Sequence, residues 1–301
     1  MKISIFIITT ILILFSCTTE DISGRGDFRL TISGGKALSE GFPHKEGSVE
    51  YSFTDGWEIE FNKFIIVIGE VLLSDPEDGL TEDENKDIYI TDLVKSGTEG
   101  STIGLFKDVP AKRLDVGFTV HKATGAEENL NADDEDFRYM VENGLSHYIK
   151  GIAKKGEKEV EFQFSLKIST KYSECINGID RTKGIVVERN KMTGAFIYEH
   201  SPFHIFWDTL ASGDENLRFD AFAAVAIDGV VTEKELENQD LTDLKDEEGN
   251  PLRDENGKRV RYNDNGMLPF DDLTLKAFVS YAARAGVHFN GVGFCNYEAL
   301  D

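Results

Sequence analysis

The stretch "VEFQFSLKI", residues 160–168, decides how the chain is read. Val160, Phe162, Phe164, Leu166 and Ile168 alternate with Glu161, Gln163, Ser165 and Lys167. Side chains of a strand point alternately to its two faces, so this run is a strand with one apolar and one polar face.

Working outward, the same period recurs. "FRLTI" alternates Phe28, Leu30 and Ile32, and "WEIEF" alternates Trp57, Ile59 and Phe61 with two glutamates. "FIIVI" (64–68) is a continuous apolar run, as expected where a strand is covered on both faces. "DIYITDLV" is a further strand, and "RLDVGFTVH" places Leu114, Val116, Phe118 and Val120 on one face. "GIVVERNKMTGAFIYEH" (184–200) is expected to be a hairpin turning near Asn190 to Gly194. Strands separated by polar turns predict a mainly β fold, an antiparallel β-sandwich, over residues 27–200. One short helix, "DDEDFRYMVEN", interrupts it. The acidic runs "SDPEDGLTEDENKD" and "GAEENLNADDED" are read as solvated loops between strands; neither has recognisable calcium-ligand spacing.

Residues 201–301 are expected to form a helical, loop-rich part packed on the sandwich. Within it, Asp246–Arg253 is echoed by Asp254–Arg261, with Gly249 and Gly257 at matching places. Two such units read as turns or a small hairpin. "DDLTLKAFVSYAARAG" is a helix with Leu275, Phe278, Val279 and Ala282 on one face, Asp271 as its cap and Gly286 as its end.

The N-terminus reads "MKISIFIITTILILFSCTTED". A charged start, a short apolar run and a small residue describe a secretory signal over residues 1–16, shorter than the ~20 residues a spanning helix needs. "LFSC" is similar to the lipobox of bacterial lipoproteins, which implies lipid on Cys17 and an anchor in the outer membrane. The other reading is a plain signal peptide with a chance cysteine. Thr18 suits release to the outer membrane, and Glu20 and Asp21 suit export to the cell surface, so the domain faces either the periplasm or the exterior. Residues 17–26 read as a tether. The formal charge is −23; removal of Lys2 with the leader makes it −24. So acidic a surface argues against nucleic acid and anionic lipid as partners. Two cysteines remain, Cys175 and Cys295. An exported compartment favours a disulfide between them, the alternative being two buried thiols.

Chemistry is sparse. The chain has no phosphate loop, GxSxG, HExxH or CxxC motif, which favours a non-enzymatic binding module for a small ligand or protein over a hydrolytic enzyme. "AIDGVVTEKEL" places Gly229, Thr232 and Glu235 at EF-hand positions, but Ala224 and Ala226 stand where two ligands belong. Thr232 and Glu235 read better as a T-x-x-E capping box. In "EHSPFHIFWDTL" (199–210), Ser201 and Pro202 open a helix, and Phe203, Phe206, Trp207 and Leu210 form an apolar stripe. His204 and Asp208 then sit one turn apart at its edge, either as a satisfied pair or as part of a metal site for zinc, copper or calcium. His200, before the cap, and His288, in "GVHFNGVGFC", are further candidate ligands. His121 ends a strand and His44 lies in a loop.

"DGWEIEFNKFIIVIGEV", "LSHYIKGIAKKGEKEVEFQFSLKISTKYSEC", "HIFWDTL", "GVVTEKEL" and "GVHFNGVGFC" together resemble a family of uncharacterised exported bacterial lipoproteins. That resemblance implies a His–Asp helix, an acidic EF-hand-like segment and a Gly/His/Cys ending. The order of strand pairs, late aromatic strands and closing cysteine is also similar to periplasmic metal-handling proteins of the methanobactin-associated type. That family-level analogy supplies no function; the alternative function, periplasmic metal handling, rests on His204 and Asp208 with His200 or His288.

Overall fold

The computed structural model describes residues 24–209, 215–262 and 271–300. The expected leader, Cys17 with the acids behind it, and Leu210 lie outside the described residues.

β1 (Arg25–Ser33) takes in the last two residues expected of the tether. It is followed by α1 (Gly35–Glu40), a small hairpin of β2 (His44–Glu46) and β3 (Val49–Tyr51), and the long β4 (Glu58–Ser74). Next come β5 (Thr81–Asp92), α2 (Leu93–Ser96), β6 (Ser101–Pro110), β7 (Arg113–Val120) and β8 (Glu128–Asn129). α3 (Asp134–Asn143) precedes β9 (His147–Lys155), β10 (Lys158–Leu166), β11 (Thr170–Ser173), β12 (Ile185–Val186) and β13 (Met192–Glu199). The last third holds α4 (Ser201–His204), α5 (Asp220–Ala223), β14 (Val230–Thr232), α6 (Leu275–Ala285), β15 (Val287–Phe289), β16 (Gly293–Phe294) and β17 (Asn296–Ala299).

The fold is mainly β, as the alternation predicts. One sheet has the order β16-β15-β13-β1-β6, and the larger has β14-β10-β9-β4-β7-β11-β17, with β5 also on β4. Most pairings are antiparallel; β1 with β13, β10 with β14 and β5 with β8 are parallel. The main apolar core joins residues of both sheets, including Phe28, Leu30 and Ile32 of β1 and Phe162 and Phe164 of β10. Val160, Phe162, Phe164 and Leu166 are all buried, as their period requires. The run Phe64–Ile68 is buried on both faces: Phe64, Ile66 and Ile68 enter the main core. Ile65 and Val67 enter a second cluster with Met140 of α3.

Three local expectations change, and the capping expectation for Thr232 and Glu235 holds. "GIVVERNKMTGAFIYEH" is not a hairpin. Its turn is present, with Asn190 at φ 56°, but β12 pairs with β7 in one sheet region and β13 with β1 and β15 in the other sheet. The acidic run after Ser74 is only partly loop, because Thr81–Asp92 pairs along β4 and turns its charged side chains outward. α6 is capped by Thr274, whose hydroxyl accepts from the Ala277 amide at 3.2 Å, not by Asp271. Glu235 does reach back to the Thr232 amide at 3.0 Å, while Asp228 and Gly229 form the turn joining Ile227 to Val230.

The C-terminal third is less helical than expected and is woven into both sheets through β14, β15, β16 and β17. Cys175 and Cys295 are disulfide-bonded across 120 residues of sequence, and β17 pairs with β11 beside them.

Candidate metal centre

Glu199 ends β13 with its side chain in the core, so the next residue, His200, faces the other way. Pro202 sits in the first turn of α4, where a missing amide costs nothing. Buried Glu199 accepts from the Ser201 amide at 2.9 Å, and burial pushes its carboxyl up to about 7. The His204 amide donates to the His200 carbonyl at 3.1 Å. That single turn places the two imidazoles on one side of the chain.

His288 arrives from the far end of the sequence. β15 pairs with β13 so that His288 stands opposite Tyr198. The close approach depends on Gly286, where a Cβ would meet the Ser201 hydroxyl at 2.5 Å. The His200 amide donates to the Gly286 carbonyl at 2.6 Å, and the Ser201 hydroxyl to the Ala283 carbonyl at 3.2 Å. α6 and α4 are thereby locked together, and the three histidines meet.

One ligand nitrogen from each of His200, His204 and His288 lies within 4.8 Å of the others, and no other group of three His, Cys, Asp or Glu does so among the described residues. His200 stacks on His288 with centroids 4.3 Å apart. His204 lies 5.4 Å from His288 and 6.2 Å from His200, and stacks on Trp207 at 4.1 Å. Nε2 of His204 and Nδ1 of His288 are buried without a hydrogen-bond partner. Burial, reinforced by the neighbouring rings, pushes His200 down to about 2 and His204 down to about 3. Burial also lowers His288, opposed by a hydrogen bond to the Gly291 backbone. All three are therefore neutral near pH 7, the form that ligates metal. A cleft of about 440 Å³ opens beside them, lined by His200, His288, Phe203, Trp207 and Tyr51 among others.

Asp208 is placed elsewhere. α4 ends at His204, so the residue four further on is not one helical turn away. The Asp208 carboxylate accepts instead from the Asn216 amide at 2.9 Å, the Asn216 side chain at 3.1 Å and Arg218 Nε at 2.8 Å. Trp207 is only half buried, bridging to Leu217 rather than extending a helical stripe. His121 lies 3.2 Å from Glu70. His44 is not in a loop but begins β2, buried, with Nδ1 2.7 Å from the Gly41 carbonyl. Sequence reasoning passed over Tyr198 and Tyr51 beside the site and the fully buried His147 away from it; their only local signal was alternation in β13, β3 and β9.

No family model matches the chain. No curated protein matches it, and no solved structure does.

Proposed function

We propose that the protein is an exported, lipid-anchored binding protein whose ligand is a transition-metal ion held by His200, His204 and His288. The observation that carries this reading is the convergence of three neutral imidazoles, with two buried ring nitrogens lacking any partner. An unpaired polar atom away from water is costly, and a metal–nitrogen bond removes that cost. Imidazole suits zinc and copper; calcium prefers oxygen ligands, and the trio supplies none. The anchor on Cys17 comes from the lipobox resemblance alone.

Three protein ligands beside an open cleft leave a coordination position free. In a carrier that position admits and releases the metal. In a hydrolytic metal centre it would hold water, and this keeps an enzyme as the second reading. Elemental analysis of protein purified without a tag, then calorimetry of chelator-treated protein with zinc, copper and calcium, tests the proposal. Zinc or copper should bind one to one and raise the melting temperature, with ~2.7 kcal/mol added at a hundredfold excess over Kd. Loss of binding in both His204→Ala and His288→Ala is expected. Unchanged heats and melting in wild type would remove the metal reading. Turnover of ester or phosphoester probes by the loaded protein would favour the enzyme.

A further inference from the structure

A cleft of about 680 Å³ adjoins the one beside the histidines; Tyr51 and His200 line both. Its size falls within the range of small-molecule sites. Three aromatic side chains line it: Tyr51, Tyr198 and Phe196. Phe196 is 38% exposed, two residues before Tyr198 on the same strand, so the two rings stand on the same face of the sheet. Tyr198 is held in place from two sides. Its hydroxyl donates to Glu46 Oε1 at 3.2 Å, and it packs against Gly35, where a Cβ would meet that hydroxyl at 2.0 Å.

The charges lining this cleft are unequal. Glu46 and Glu99 supply two carboxylates, and Lys36 is the only lysine or arginine among the described residues that line it. The Lys36 ammonium is already engaged by the Lys45 carbonyl at 3.1 Å and by Glu40 at 3.5 Å. Aromatic faces attract cations through their quadrupoles, and carboxylates add to that attraction. The net charge of −23 extends the same bias to the whole surface.

The geometry points to a binding site for a small organic cation, a protonated or quaternary amine bearing an apolar or aromatic group, between Tyr51, Tyr198 and Phe196. The inference stands apart from the metal reading and is tested on chelator-treated, full-length protein. Calorimetry would compare choline with its neutral isostere 3,3-dimethylbutan-1-ol, and phenyltrimethylammonium with benzoate. Each cation should bind at least tenfold more tightly than its partner. Phe196→Leu, a change at an exposed position, and Glu46→Gln should each weaken phenyltrimethylammonium severalfold. His204→Ala, which removes the metal site, should leave that affinity unaltered. Equal binding of the neutral isostere, binding of benzoate as tight as that of the cation, or cation affinity unchanged in both cleft variants would overturn the inference.

Discussion

The imidazoles of His200 and His288 lie face to face, their planes 16° from parallel and their centroids 4.3 Å apart. A metal–nitrogen bond lies in the plane of its ring. Two nearly parallel planes do not meet at one ion, so ligation by both residues requires at least one ring to turn. A tetrahedral ion with bonds near 2.0–2.1 Å also places its nitrogens about 3.3 Å apart, closer than the 4.8 Å limit within which the three now lie. Zinc should therefore shift the ring resonances of His200, His204 and His288 together, at one equivalent, in imidazole-detected NMR. A shift confined to a single histidine would show that the trio does not close on one ion.

Trp207 reports on the same event. His204 stacks on it at 4.1 Å with planes 25° apart, so drawing His204 toward a metal must alter that contact. Metal should change tryptophan emission in wild type and leave it unchanged in Trp207→Phe, while calorimetry still records binding in the variant. An identical emission change in both proteins would mean that His204 does not move or does not ligate.

Asp208 belongs to the scaffold. Its carboxylate and Arg218 are mostly buried, with side chains 11% and 15% exposed, and their contact is 2.8 Å. Removing one partner leaves the other charge uncompensated, so Asp208→Ala should cost about 3 kcal/mol in chemical denaturation. Metal affinity should stay within a factor of a few of wild type. A hundredfold loss of affinity without a stability change would instead make Asp208 a ligand.

His147 should impose an acid limit on stability. It is 1% exposed, and burial, then the Arg284 charge, pushes it down to about 3. The unfolded chain takes up a proton at about 6.5 that the folded protein refuses. Its contribution to stability is thus complete above that pH and is lost as the pH falls from about 6.5 toward 3, with a slope approaching 1.4 kcal/mol per pH unit. Denaturation at pH 7, 6 and 5 should show His147→Gln losing less stability on acidification than wild type. Parallel losses in the two proteins would contradict this account.

Much of the framework is legible residue by residue. Alternation at 160–168 marks a strand because a pleated chain alternates its faces whatever it pairs with. The unbroken run Phe64–Ile68 announces cover on both faces for the same local reason. The bond between Cys175 and Cys295 is the one that an even cysteine count and an expected export signal suggest. The histidines were visible as types and His200 and His288 as candidates, but their grouping was not. The four-residue spacing of His204 and Asp208 suggested a pair only on the assumption of a helix, and the chain leaves the helix at His204.

The sequence by itself determined the strands whose apolar residues alternate or run unbroken, which faces those strands bury, and that the middle of the chain is tied to its C-terminal part by cysteine, because periodicity and residue chemistry act over a few neighbours. The tertiary structure alone decided that β13 runs parallel to β1, that "GIVVERNKMTGAFIYEH" divides between sheets, and that His288 meets His200 across 88 positions of sequence. Register between distant strands is set by the summed packing of both faces and by single close approaches such as Gly286 against Ser201. No local pattern contains that sum, and the three histidines come together only where it has been settled.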